Sequence, residues 1–384
     1  MAGPGRGGGG GWFRWGFLLE AASGLPSVAL GPERLLPGEG EGEAQGRVLA
    51  VRPSWSFLAL LLDAGPGSSS SWVEFRGGGA GRRRLPGEAR GALPSESHLL
   101  LLREDALEAW PLALGEGGLS LAQEPLWRRE AQDPGQDPAA IARGLPLFPG
   151  GFVAPHPPFF WPLRGSFLRA ERLALGLEHA LLLLADGGGL FSWGGGRHGQ
   201  LGHGGLESLS EPEPVEALQG LLVEAVAAGG WHSAALTDAG DLYLWGWNEA
   251  GQLALPSKAL AKVEDQDGTG GAEKGPLDPL DATFVSIQAF PALLDLPDEA
   301  EVLKVSCGSR HTAALTRTGD LYTWGWGQYG QLGHGDTASS DRPRKVGCFA
   351  DWDLCVVDVT CGPWATYVQA DRRTTDPSLD RPEA

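Results

Sequence analysis

The chain has 384 residues, with 30 Lys and Arg against 48 Asp and Glu and a formal charge of −18. That balance repels nucleic-acid phosphates and anionic lipid and argues against direct binding of either. Gly (60) and Pro (29) are abundant, yet 42% of the residues are hydrophobic, enough for a large, turn-rich core and too many for a wholly disordered chain.

Four cysteines, Cys307, Cys348, Cys355 and Cys361, lie in the last fifth of the chain. This usage suits a reducing compartment, the nucleus or the cytosol, better than a disulfide scaffold. No apolar run reaches the length of a membrane-spanning helix.

Residues 1–10 read as a flexible Gly-rich tail, and the apolar patch after them stops at Glu20, too short for a secretory signal. Inside that patch, GWFRWGF (Gly11–Phe17) looks like half of a unit that recurs downstream. Trp55, in PSWSFLALLLDAG, precedes an apolar run, and His98 with Trp110 gives a second faint copy. Between them, 65–91 is low in complexity and carries Arg82, Arg83 and Arg84, so it is expected to be a flexible, solvated insertion or an import signal. Gly150–Leu163 marks a further, degraded unit.

The clear copies begin at Gly176. GDLYLWGWNEAGQL (Gly240–Leu253) returns 79 residues later as GDLYTWGWGQYGQL (Gly319–Leu332) with ten of fourteen positions unchanged, and GGLFSWGGGRHGQL (Gly188–Leu201) matches it at seven. Each has a leader of Gly, two residues, His and an apolar run: Gly176 and His179, Gly229 and His232, Gly308 and His311. Each then places a Trp-Gly pair: Trp193 and Gly194, Trp245 and Gly246, Trp324 and Gly325. The last leader, CGPWATYVQA, is read with Trp364 in the histidine slot, 53 residues after His311. The 79-residue interval exceeds the period by an acidic, Gly-rich insertion over 258–282, expected to be mobile, and 371–384 reads as a disordered tail.

Within a unit, HSAALTDAGDLYLWGW sets two apolar segments around a Gly-containing loop, the second alternating with period two, so each unit is a β-hairpin without a helical stripe. A period near 53 in 384 residues gives about seven such units. Small sheets repeated at this interval bury their faces against one another, which is the signature of a β-propeller.

The run CGSRHTAALTRTGDLYTWGWGQYGQLGHGD resembles the repeat of the regulator-of-chromosome-condensation family, and the two other clear copies resemble it nearly as well. The resemblance implies an all-β, seven-bladed β-propeller of that type. It would be one domain over 11–370, degenerate over 11–170 and regular over 176–370, closed by pairing of the N-terminal strand with the strand near Tyr367. The degenerate first half is similar to a small member of the family. That likeness implies a nuclear, non-enzymatic regulator of chromatin that works with a JmjC-type histone-modifying oxygenase. The founding member implies the alternative, guanine-nucleotide exchange on a Ran-type GTPase, although the tail before Gly11 lacks the lysines of a DNA-binding arm.

A histidine that recurs once per blade cannot converge on one substrate, so His179, His232 and His311 are expected to hydrogen-bond to backbone, with Trp193, Trp245 and Trp324 packing between blades. His198 with His203, and Cys307 with His311, have possible metal-ligand spacings but no second pair. Gly-rich runs such as GGGRHG lack the following helix of a phosphate loop, and no nucleophile–base–acid set is evident. No metal, cofactor or catalytic residue is therefore expected. Partner contacts are expected on loops held by the rigid ring: Arg197 and His198, Asn248 and Glu249, Gln328 and Tyr329.

Overall fold

A computed structural model describes residues 11–18, 27–35, 47–54, 57–63, 71–77, 82–85, 87–95, 97–115, 118–122, 124–130, 147–148, 150–155, 157–163, 170–185, 189–261 and 284–373. Strands β1 (Gly11–Leu18) and β2 (Ser27–Arg34) open the chain. Blade 1 is β3–β6 (Arg47–Pro53, Phe57–Asp63, Ser71–Gly77, Arg82–Arg84), and blade 2 is β7–β11 (Gly91–Pro94, His98–Leu102, Ala106–Gly115, Gly118–Leu121, Trp127–Glu130). Blade 3 has three strands among the described residues, β12–β14 (Leu147–Phe148, Gly151–Val153, Phe160–Pro162). Blade 4 is β15–β18 (Ala170–Leu175, His179–Leu184, Leu190–Gly194, Leu209–Pro214), and blade 5 is β19–β22 (Val223–Ala228, His232–Thr237, Leu242–Trp247, Ile287–Leu294). Blade 6 is β23–β26 (Val302–Cys307, His311–Thr316, Leu321–Gly325, Ser340–Lys345), and the chain ends in β27 (Leu354–Cys361) and β28 (Ala365–Arg372).

The last two strands complete a sheet with the first two, in the order β2-β1-β28-β27, which is blade 7. β1 runs antiparallel to β28 from Gly11 opposite Ala370 to Gly16 opposite Ala365. The seven sheets form a seven-bladed β-propeller closed by its two chain ends.

The hydrophobic residues lie between blades, in seven clusters among the described residues. One joins Leu61 and Val73 of blade 1 to Leu99 and Leu101 of blade 2; another joins Leu236 and Leu244 of blade 5 to Val305 and Trp324 of blade 6. Sandwiched in this way, a second strand is covered on both faces: every residue of β16, β20 and β24 is buried. The Ala pairs Ala234, Ala235 and Ala313, Ala314 are fully buried and let neighbouring sheets approach where larger side chains would clash. Each fully buried Leu, such as Leu60, Leu100 or Leu182, contributes about 1.5–3 kcal/mol.

β1 serves both of its neighbours. The Trp12 Nε1–H donates to the Val48 carbonyl of blade 1 (3.2 Å), and the Trp15 Nε1–H donates to the Gln331 carbonyl of blade 6 (2.8 Å). Trp15 is fully buried beside Phe349, on the short helix α1 (Cys348–Asp351), at 6.0 Å between rings.

Two sequence expectations are corrected. The stretch 65–91 is not a mere loop: it contains β5 and β6, with Trp72, Val73, Leu85 and Ala89 buried and the Arg84 guanidinium stacked 4.1 Å from the Trp72 ring centroid. Its Val73-Glu74-Phe75-Arg76 run alternates apolar and charged residues, a strand pattern that the surrounding Ser and Gly tracts obscure. The 371–384 tail starts two residues too early, since β28 continues to Arg372. The tail 1–10, Trp55, 374–384 and, apart from 258–261, the insertion 258–282 lie outside the described residues.

Removing residues 1–18 takes one strand and two Trp anchors out of blade 7 and leaves an unpaired sheet edge. The expected result is a large fall in the thermal unfolding midpoint; Trp15→Ala alone should cost about 3–5 kcal/mol in urea unfolding. An unchanged midpoint for the truncated chain would contradict closure through β1.

Candidate functional site

The repeated residues assemble one polar relay at three successive blade interfaces. His179 Nε2 meets Ser233 Oγ of the next blade at 2.8 Å, His232 meets Thr312 Oγ1 at 3.0 Å, and His311 meets Thr366 Oγ1 at 3.1 Å. These hydroxyls donate to the main-chain carbonyls of Gln200, Gln252 and Gln331 at 2.7, 2.8 and 2.7 Å. The same carbonyls accept from Trp245, Trp324 and Trp15 Nε1 at 2.9, 3.0 and 2.8 Å. Because each hydroxyl spends its proton on a carbonyl, the ring must supply the other one, which assigns the neutral Nε2–H tautomer. Burial agrees, pushing His179 down to about 4 and His232 and His311 down to about 3. The histidines therefore bond a hydroxyl on the neighbouring blade, where backbone was expected.

The glycines of the pattern are there for clearance. A Cβ on Gly229 would stand 2.4 Å from the His232 ring, and Gly176 and Gly308 lie equally close to their histidines. Gly246 has a φ of 108° and faces the Trp231 carbonyl so closely that a Cβ would sit 2.6 Å away; Gly194 and Gly325 repeat this geometry. Trp193, half-buried, packs on Phe152 of blade 3 at 5.8 Å, whereas Trp245 and Trp324 are fully buried.

Trp364 is not in the histidine slot. His232 lies opposite Gly246 and His311 opposite Gly325, and the residue opposite Gly16 in the same register is Ala365. Trp364 occupies the preceding slot, equivalent to Glu178, Trp231 and Arg310. The next blade offers Leu58 where Ser233 and Thr312 stand elsewhere, so a histidine there would have no hydroxyl to meet.

Other histidines are also tied into turns: His203 Nε2 lies 2.9 Å from Ser192 Oγ, and His334 Nε2 lies 3.0 Å from Thr323 Oγ1. Cys307 is buried and its thiol is pushed well above the ordinary range by burial. At the ring axis, Pro53, Leu93, Phe152, Gly229, Gly308 and Gly362 line a cavity of about 1140 Å³.

In an antiparallel meander the first-to-second and third-to-fourth turns emerge at one end, so the residues flanking the relay share one face of the ring. On blades 4 to 7 that face carries a band of half-buried aromatic side chains. Trp231 and Trp247 meet edge to face at 5.4 Å, and His198 lies 5.9 and 5.5 Å from them. The Arg310 guanidinium sits 4.6 Å from the Trp247 ring centroid. Beyond it, Trp326 packs on Trp364 (5.0 Å) and Tyr329 (4.8 Å), and Tyr329 packs on Phe17 (4.9 Å).

Of the six expected contact residues, Arg197 is exposed and paired with Glu178 at 2.7 Å, His198 and Tyr329 belong to the band, and Glu249 and Gln328 are exposed on their turns. Asn248 is a correction, for it is fully buried. Its Nδ2 donates to the Leu255 and Val285 carbonyls, each at 2.8 Å, and its Oδ1 accepts from the Leu253 N–H at 2.9 Å. The amide thus clamps the two roots of the 258–282 insertion, which the sister turns lack; they carry Gly196 and Gly327 in this slot. Sequence reasoning passed over Trp231, Trp247, Arg310 and Trp326, although their places beside the His and the Trp-Gly pair were visible. It also passed over Gln200, Gln252 and Gln331, whose signal was the invariant Gly-Gln-Leu.

The fold and the relay together define a propeller of the regulator-of-chromosome-condensation type. The Regulator of chromosome condensation (RCC1) repeat matches residues 187–236, 239–315 and 318–368. The chain is 46% identical to RCC1 domain-containing protein 1 of Homo sapiens, over 94% of this chain and 97% of that protein, and 44% identical to its Mus musculus counterpart, over 95% and 98%. It belongs to the regulator of chromosome condensation repeat family. The structure is similar to that of Prp20p from Saccharomyces cerevisiae, with a TM-score of 0.66 and 16% identity over 97% of this chain and 93% of that one, a likeness of fold.

Two outcomes follow from this geometry. Unfolded histidines titrate near 6.5 while the folded relay stays neutral to about 4 or 3, so the unfolded state binds more protons as pH falls. Stability is full above pH 6.5 and should drop by up to about 2 kcal/mol per relay histidine at pH 5, read as the urea midpoint, with a shallower slope in His232→Gln. Asn248→Ala, which takes the partner from one buried and two part-buried backbone groups, should cost about 2–4 kcal/mol, whereas Glu249→Ala should stay within about 0.5 kcal/mol; equal effects would refute the clamp.

Proposed function

We propose that this chain is a non-enzymatic docking propeller that receives a partner protein on the aromatic face of blades 4 to 7. The observation that supports it is the band of half-buried Trp, Tyr and Arg side chains on one face, the residue types that dominate binding energy at protein interfaces. By its similarity to RCC1 domain-containing protein 1, the chain is read as a nuclear, chromatin-associated regulator, one subunit of a heteromeric complex with a JmjC-type histone-modifying oxygenase. The acidic net charge of −18 favours recruitment to chromatin through protein contacts over direct contact with DNA.

Exchange on a Ran-type GTPase is the second reading, and it draws on the structure of Prp20p, which is described with that protein's binding to Gsp1p and histones. Purification of the full chain from nuclear extract, followed by mass spectrometry, should recover a JmjC-type oxygenase. The Trp326→Ala/Tyr329→Ala variant, checked for an unchanged unfolding midpoint, should recover at least about tenfold less. A purified Ran-type GTPase should release nucleotide no faster with the chain present. Accelerated release, or recovery indifferent to the double substitution, would overturn the docking reading.

A further inference from the structure

Three side-chain nitrogens around Trp247 are shut off from solvent and have no hydrogen-bond partner among the described residues: Trp231 Nε1, Arg310 Nε and His198 Nδ1. The first two are obligate donors. Buried donors without acceptors are rare in folded proteins, because each forfeits its hydration for nothing in return. Here they sit in one ring contact network, with the Arg310 guanidinium against Trp247 and Trp247 against Trp231 and His198.

Charge separates this cluster from the rest of the face. Three other arginines on the surface of the regular blades are matched to carboxylates, Arg197 to Glu178, Arg317 to Glu301 and Arg344 to Asp336, and Arg342 stands exposed in water, stacked on no aromatic ring among the described residues. Among the described residues no carboxylate lies within ion-pair distance of Arg310. In a chain of net charge −18, a guanidinium stacked on an indole and left without a counter-charge is poised for an anion that the described residues do not supply. The planar group is preorganised by stacking, so engaging a planar oxyanion costs little further ordering. Phosphate-rich polymers are disfavoured by the surrounding negative charge, whereas a single carboxylate set among apolar side chains matches both the donors and the aromatic surface.

We propose that the Trp231–Trp247–Arg310 cluster is a receptor for one Asp or Glu side chain of a partner protein. Apolar residues flanking that carboxylate then cover the adjoining Trp326, Tyr329, Trp364 and Phe17 surface. This assignment rests on the docking reading above and specifies its chemistry. The carboxylate accepts from the Arg310 guanidinium; the Trp231 indole N–H, closed to solvent in the free chain, joins it as the surrounding rings part, and the rings then exclude water from the pair.

The test uses the full chain, immobilised, and two pools of nine-residue peptides. In one, a central Glu is flanked two residues away on each side by Leu, Phe or Tyr; in the other, Gln replaces the Glu. Retained peptides are counted by mass spectrometry. The Glu pool should be retained about tenfold over the Gln pool. Arg310→Gln should bring the ratio to about one, Arg310→Lys should keep part of it, and Trp231→Phe, which keeps a ring and removes only the N–H, should lower it severalfold at an unchanged unfolding midpoint. Equal retention of both pools, retention of neither, or a preference that survives Arg310→Gln would overturn the assignment and leave the donors to bound water. Tyr329→Ala separates the two levels, because it should weaken both pools alike. If it does so while Glu and Gln bind equally, the face still docks protein and only the carboxylate receptor falls.

Discussion

A sheet of four short strands has two faces, and in this chain both are apolar, so no blade can satisfy itself. The polar relay is where that dependence is sharpest. A histidine on one blade, a hydroxyl on the next, and a carbonyl and an indole that lock the two together must all be present before any of them is satisfied. Burial keeps the ring neutral, the hydroxyl gives its proton to the carbonyl, and the ring nitrogen facing the hydroxyl must then carry the hydrogen. Across the 6–7 interface the indole comes from Trp15, 316 residues away from its acceptor in sequence, so closure of the ring completes the same relay as well as pairing two strands.

The constancy of that relay has a functional counterpart. Its members occupy the interior of the interface, which leaves the residue before each histidine and the residue after each Trp-Gly pair on the surface. Those positions diverge from blade to blade: Glu178, Trp231, Arg310 and Trp364 in the first set, Gly195, Trp247, Trp326 and Phe17 in the second. A rigid repeat thus displays a non-repeating row of side chains, the arrangement expected of a platform whose specificity lies on its connections. The aromatic residues of blades 5 and 6 fall where the relay is complete on both sides of a blade, and those of blade 7 where it is complete on the side facing blade 6.

Much of the architecture was legible because a repeat aligns with itself. The unit, its hairpin character, the count near seven and the joining of chain ends at Gly11–Phe17 all follow from comparing the chain with its own copies. Reading failed where local pattern and register parted. Trp364 was placed by counting 53 residues, whereas opposition to Gly16 shifts the slot to Ala365. The strands within 65–91 were masked by flanking Ser and Gly. Asn248, a turn residue by type, is buried because the long insertion beside it leaves carbonyls that only an amide can reach.

The amino-acid sequence by itself determined that this is a ring of repeated β-hairpins and which residues recur in it, since period and strand alternation are properties of the chain. Which recurring residues touch, which face is left for a partner, and that Trp231, Trp247 and Arg310 meet there were decided only by tertiary structure. Those contacts cross from one blade to the next, and their geometry depends on how far adjacent sheets approach and twist, a distance set by packing the whole ring and carried by no single repeat.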